Sequence, residues 1–208
     1  MSNERHEFSH DEKPIAERRS SERVTSVYRP VLIETEDFVG FCLVRNLSPG
    51  GLMGSAFAEF TEGQPISVML NSDLTVSGAV TWSKDGKIGI HFDQEIIVDQ
   101  VLQRLSEKNQ GDQINRAPRL AIECDGSLEI EEAAYFIKLR DISQRGIKAE
   151  VADVKVGDVC VVKLPALEPR KAVVRWTQGG LAGLNFLTPL AFEQLALWTI
   201  ERQEVASD

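Results

Sequence analysis

The sequence predicts a mainly β protein built as two tandem six-stranded antiparallel barrels, each followed by a C-terminal helix. Three observations predict it: an internal repeat, a set of short alternating apolar runs inside each copy, and a helical pattern closing each copy. The repeat shows in Arg45-Asn46-Leu47-Ser48-Pro49-Gly50-Gly51, which returns as Arg140-Asp141-Ile142-Ser143-Gln144-Arg145-Gly146. Around it Arg23 maps to Arg119, Phe41 to Phe136, Gly63 to Gly157, Trp82 to Trp176, Gly89 to Gly183 and Phe92 to Phe186, at spacings that drift only from 96 to 94 residues. Such a period means two copies of one unit of about 90 residues, a normal size for an independently folding domain.

Taken in order, residues 1–16 mix Glu4, Glu7, Asp11 and Glu12 with Arg5 and Lys13 without periodicity and read as a flexible tail. His6 and His10 are four apart, but with no further ligands nearby a solvated tail is favoured over a metal site. The first domain is placed at 17–108. Val27, Arg29, Val31 and Ile33 alternate as in a half-buried strand, and further strands are expected at Phe38–Arg45, Gly51–Ala56, Ile66–Leu70, Leu74–Ser83 and Lys87–Phe92. Turn signals such as Thr61-Glu62-Gly63 and Lys84-Asp85-Gly86 separate them. A helix is expected over Gln94–Lys108, with Asp93 as N-cap and Ile97, Val101 and Leu105 on one face. The polar stretch from Ser106 to Pro118 supplies a linker, placed at 109–115, and the second domain takes 116–205. Thr188-Pro189 reads as a helix start, a cap followed by Pro at the first helical position. On that helix Leu195, Trp198 and Arg202 form a stripe, with two readings open: packing on its own barrel, or docking on the other domain or a partner.

Composition narrows function by exclusion. A net charge of −9 over 208 residues argues against coating nucleic acid, which needs a broad basic face. No apolar run approaches the ~20 residues that span a bilayer, and the amino terminus has no apolar signal core, so a cytoplasmic protein without membrane insertion is expected. The scattered Cys42, Cys124 and Cys160 read as reduced core residues. Against the acidic background, Arg18, Arg19, Arg23 and Arg29 stand with one acid, Glu22, a local positive segment that suits a small anionic ligand.

The Asn46-x-Ser48-x-x-Gly51 stretch is expected to be a polar turn after a strand, its side chains bonding nearby backbone N–H groups and Gly taking positive φ. Alone it is a self-satisfied turn. With Arg19-x-x-x-Arg23 upstream and Val80-Thr81-Trp82 and Gly89-Ile90-His91-Phe92 downstream, both halves of the chain resemble the PilZ domain, a family whose known ligand is the bacterial second messenger cyclic di-GMP. The resemblance implies that Arg18, Arg19 and Arg23 engage phosphates and guanine edges from a segment before the first strand. It implies that Asn46, Ser48 and Gly51 shape the facing surface, with Trp82 either a further contact or a core aromatic. The chemistry agrees: guanidinium pairs bidentately with phosphate and with the O6/N7 edge of guanine, and stacks on flat bases.

The resemblance implies a receptor that changes conformation on binding and signals through an unidentified protein partner, with no cofactor beyond the ligand. An adaptor that binds proteins and ignores the nucleotide is the alternative; the intact Arg19/Arg23 pair favours the receptor. Catalysis has little support, since no phosphate-binding glycine loop, nucleophile elbow or metal cluster occurs, and His91 reads as a strand-face residue. The second copy keeps Asp141, Ser143 and Gly146 but has Asn115 where Arg19 has its counterpart. Only Arg119 is in register, with Arg116 one residue from the missing position, so the first domain is expected to be the main site and the second a weaker one.

Overall fold

The computed structural model describes residues 25–71, 73–106 and 117–207. The expected tail, the linker, and Arg18, Arg19, Arg23 and Arg116 lie outside them. Strands β1 (Thr25–Glu34), β2 (Val39–Ser48), β3 (Gly51–Ser55), β4 (Pro65–Asn71), β5 (Leu74–Lys84) and β6 (Lys87–Phe92) are followed by helix α1 (Val98–Ser106). The pattern repeats as β7 (Leu120–Ile130), β8 (Ala133–Ser143), β9 (Gly146–Glu150), β10 (Val159–Lys163), β11 (Arg170–Gln178) and β12 (Leu181–Phe186), then α2 (Phe192–Ser207). Each set closes into an antiparallel barrel, in the order β1-β2-β3-β6-β5-β4 and its equivalent β7-β8-β9-β12-β11-β10. Closure pairs every strand on both sides and leaves no open sheet edge. None of the described helices is long and apolar enough to cross a membrane.

The alternation seen in the sequence is the inside–outside pleat of these strands. Ile66, Val68 and Leu70 on β4, Val76 and Val80 on β5, and Ile88, Ile90 and Phe92 on β6 fill the first barrel. Tight turns carry the expected chemistry: the β5–β6 hairpin turns on Asp85 and Gly86, both at positive φ, and β11–β12 on Gly179 and Gly180. The alternation breaks at β-bulges in equivalent places, between Ser26/Arg29, Val44/Asn46 and Val80/Trp82 in the first barrel and Ala121/Cys124, Leu139/Asp141 and Val174/Trp176 in the second.

Both helices start later than the sequence suggested. Asp93 is not a cap: its N–H bonds Ser77 O at 3.0 Å, and Ile96 N–H bonds Pro49 O at 2.9 Å, so the chain runs non-helically until Val98. Ile97 is accordingly 62% exposed, while Val101 is buried and Ile96, Val98 and Leu102 pack on the barrel core. In the second copy Thr188-Pro189 likewise precede the helix, and Leu190 N–H bonds Gln144 O at 2.8 Å before α2 begins. Backbone partners offered by the barrel outcompete the local helix signal in both copies.

Helix α2 does both things left open by its stripe. Trp198 donates its indole N–H to Pro165 O at 2.7 Å, within its own half. Phe192 meets Phe41 and Phe57 of the first barrel at ring-centroid separations of 6.5 and 6.2 Å, and Gln203 donates to Val39 O at 2.9 Å. This explains Val31-Leu32-Ile33, buried three in a row. Val31 and Ile33 face the first barrel's interior, whereas Leu32 and Phe41 join the core of the second half.

Burial raises the thiol pKa of Cys42 to about 12 and of Cys160, where Asp158 adds to the effect, to about 11. Alkylation of the folded protein at pH 8 should therefore label partly exposed Cys124 fastest and leave Cys42 and Cys160 until unfolding, as peptide mass mapping can check. Trp198→Ala empties a site shared by barrel and helix and should cost about 3–5 kcal/mol, read as a lower denaturation midpoint.

Candidate functional site

One row of residues crosses the outside of the first barrel. Register places Ser26 on β1 beside Asn46 on β2, Asn46 beside Met53 on β3, Met53 beside Gly89 on β6, and Gly89 beside Trp82 on β5. The bulges aim this row outward: inserting Arg45 after buried Val44, and Thr81 after buried Val80, turns Asn46 and Trp82 to the surface. A cleft of about 450 Å³ opens over it, lined also by Leu47, Ser48, Gly50, Gly51, Leu52, Thr81, Ile90, His91 and Glu95.

Asn46 accepts a long hydrogen bond from Ser26 Oγ at 3.5 Å. Its two amide N–H donors and remaining lone pair stay suited to a planar ligand edge. Trp82 is not a core aromatic, being 43% exposed. Its indole lies across Gly89, where an added Cβ would stand 2.2 Å from Nε1, and Trp176 covers Gly183 in the same way at 2.0 Å. Glycine at that place in both barrels lets a flat ring lie against the sheet.

The turn behaves differently from expectation. Ser48 Oγ donates to Gly51 O at 3.1 Å, as Ser143 Oγ does to Gly146 O at 3.2 Å, so each hydroxyl proton is used within the turn. In the second copy the hydroxyl also accepts from the Arg145 N–H at 3.3 Å, the backbone contact foreseen from the sequence. Gly51 and Gly146 are not among the positive-φ residues. They open β3 and β9, and their glycine character answers a different need: a Cβ would meet Ile90 O at 2.3 Å and Leu184 O at 2.0 Å.

The second barrel repeats the row with different charges. Ala121, Asp141, Lys148, Gly183 and Trp176 stand where the first has Ser26, Asn46, Met53, Gly89 and Trp82. Arg119 donates to Asp141 at 2.7 Å, and Lys148 reaches its other carboxylate oxygen at 2.8 Å. The arginine in register with Arg23 is thus held by an internal partner, and Asp141 is buried and doubly neutralised.

The sequence reading did not assign Met53, Thr81, His91 or Glu95 to the site. His91 had a usable signal, since it stands beside Gly51 across β3–β6 and within the Gly89–Phe92 motif. Met53 and Glu95 had none, because only the register and the non-helical path before α1 bring them to the cleft. Among the described residues no group of His, Cys, Asp and Glu could hold a metal ion.

The family model of the PilZ domain matches residues 17–108. Among solved structures, the chain is similar to the Borreliella burgdorferi PlzA protein in complex with c-di-GMP, at 13% identity and TM-score 0.39, covering 86% of this chain and 93% of that one. It is similar to Escherichia coli YcgR in complex with c-di-GMP, at 11% identity and TM-score 0.35 over 86% and 87% of the two chains. The Bacillus subtilis inhibitor of motility MotI/DgrA aligns at 18% identity and TM-score 0.35 over 88% and 100%. No curated protein matches the sequence.

Replacing Gly51 with Ala drives a Cβ into a backbone carbonyl that cannot swing away, and should destabilise the first barrel by about 1–3 kcal/mol. Ser48→Ala, which removes one hydrogen bond, should cost about 1 kcal/mol. Denaturant titration of the two variants checks the order.

Proposed function

We propose that the chain, whose residues 17–108 match the family model of the PilZ domain, is a non-enzymatic, cytoplasmic receptor for cyclic di-GMP whose main site is the first barrel. The observation that carries the reading is the cleft over the Asn46–Trp82 row, together with the point where β1 joins it. Thr25 pairs with Leu47 and Ser26 with Asn46, so chain connectivity ties the Arg18, Arg19 and Arg23 segment to the rim of the cleft, Arg23 two residues from Thr25. Arginines supply phosphate and guanine-edge recognition, Asn46 a base edge, and the exposed Trp82 ring a stacking surface; Ser48 and Gly51 hold the turn that shapes the wall. Folding of that segment onto the ligand is the conformational change, and a protein partner reads the altered surface.

The inequality of the two barrels follows from where their charges go. Asp141 occupies the place of neutral Asn46 and already holds Arg119 and Lys148, so a phosphate entering there competes with an internal carboxylate. Losing a charged hydrogen-bonding partner costs about 1.5–3 kcal/mol, or one to two powers of ten in affinity.

Calorimetric titration with cyclic di-GMP tests this. Wild type should bind with one tight site per chain, and Arg19→Ala with Arg23→Ala should abolish tight binding. Arg119→Ala, which breaks an internal ion pair, should change affinity by less than about twofold. Absence of binding by wild type, or equal losses from the two variants with two tight sites per chain, overturns the reading.

A further inference from the structure

A second row flanks the first on the side away from the Ser48 turn. Ser55 on β3 stands beside Lys87 on β6, and Lys87 beside Lys84 on β5. Arg45, the residue inserted at the β2 bulge, reaches into this row: its Nε donates to Ser55 Oγ at 3.3 Å, and its guanidinium carbon lies 4.9 Å from the ring centroid of Tyr28 on β1. Tyr28 is 75% exposed, and Lys84 and Lys87 are exposed as well. Arg45 is covalently next to Asn46, and both side chains find their partners on the outer face of the barrel.

The second barrel shows what this geometry becomes when the charge is internally satisfied. Register puts Glu123 at the place of Tyr28 and Glu150 at the place of Ser55. Arg140, the counterpart of Arg45, bonds both carboxylates, and Lys138 bonds Glu123 at 3.2 Å. The remaining places hold Leu181 and Gln178 instead of Lys87 and Lys84. Two cations there face two carboxylates. In the first barrel Arg45, Lys84 and Lys87 share their surroundings with Asp85, at the tip of the hairpin joining the lysines. A phenol ring and a hydroxyl orient a guanidinium while leaving its charge unspent, because neither is an anion.

We infer that Arg45, oriented by Tyr28 and Ser55 and backed by Lys84 and Lys87, is a further anion-binding arm of the first-barrel site. It takes a phosphodiester oxygen of the ligand along the flank of the Asn46–Trp82 row that lies away from the Ser48 turn, at the row's Asn46 end. The inference rests on the cyclic di-GMP reading and adds to it a residue outside the arginine motif. It also gives the second barrel another reason for weak binding: the same arginine, present there as Arg140, is consumed.

The test is calorimetric titration with cyclic di-GMP at two salt concentrations, on wild type, Arg45→Gln, Arg45→Lys, and a Tyr28→Glu/Ser55→Glu double variant that supplies the second barrel's carboxylates. Arg45→Gln should weaken binding about tenfold, leave the melting temperature near wild type and reduce the salt dependence of affinity, which loss of folding does not mimic. Arg45→Lys should recover part of the loss. The double variant keeps Arg45 but quenches it, and should weaken binding similarly, deciding the matter if Arg45→Gln folds poorly. Wild-type binding with Arg45→Gln and the double variant both unchanged overturns the role of Arg45 and leaves the receptor reading standing. No binding by wild type removes the reading itself.

Discussion

The Asn46–Gly51 turn depends on its own carbonyl groups more than on its side chains. Gly50 O accepts from Phe92 N–H at 2.9 Å and Pro49 O from Ile96 N–H at 2.9 Å, so one turn fixes both the end of β6 and the path into α1. Arg145 O and Gln144 O do the same for Phe186 and Leu190 in the second copy, at 2.9 and 2.8 Å. The Ser hydroxyl bonds the Gly carbonyl that opens the next strand, and the Gly lacks a Cβ because the neighbouring strand's carbonyl takes that space. A turn so committed cannot also be a pliable ligand grip. It is a rigid wall of the cleft, preorganised before anything binds there.

Helix α2 imposes a second constraint. Its Leu195, Ala196, Trp198 and Thr199 are all buried and, at spacings of i, i+1, i+3 and i+4, form one broad face. Phe41 and Leu32, on the outer face of β1 and β2, complete its surroundings. The same two strands carry Ser26, Asn46 and Arg45 farther along their outer faces. Strands β1 and β2 thus carry the cleft residues at one end and pack on the second half at the other, with the Ser26/Arg29 bulge between the two.

Fold and site were not equally legible in the sequence. The barrels were readable because alternation has a strict period and because two copies with matched landmarks exclude accidental patterns. The helix starts were not, because Asp93 and Thr188-Pro189 are good local caps overruled by barrel carbonyls distant in sequence, Pro49 O for Ile96 and Gln144 O for Leu190. Asn46, Ser48, Gly51 and Trp82 were found as letters of a motif, but the motif does not reveal that Gly51 answers a steric demand from Ile90 or that Trp82 lies across Gly89. Arg45 escaped notice for a related reason: its meaning lies in what stands beside it on β1 and β3, and a bulge is invisible until the register is known.

The two barrels share the three bulges that shape the outer row and the Trp–Gly pair, and differ in the charges laid over them. Asn46 and Met53 against Asp141 and Lys148, and Tyr28 and Ser55 against Glu123 and Glu150, are all substitutions on outer faces, where they change little of the packed interior. Ion pairs at partly exposed positions stabilise a fold only modestly, so the second barrel's network of Glu123, Lys138, Arg140 and Glu150 is a weak source of stability. In the proposed receptor its stronger effect is on recognition: each carboxylate answers a cation that an incoming anion would otherwise meet, and adds repulsion against that anion. A duplicated scaffold can in this way keep one copy open to a phosphodiester and close the other without touching either core.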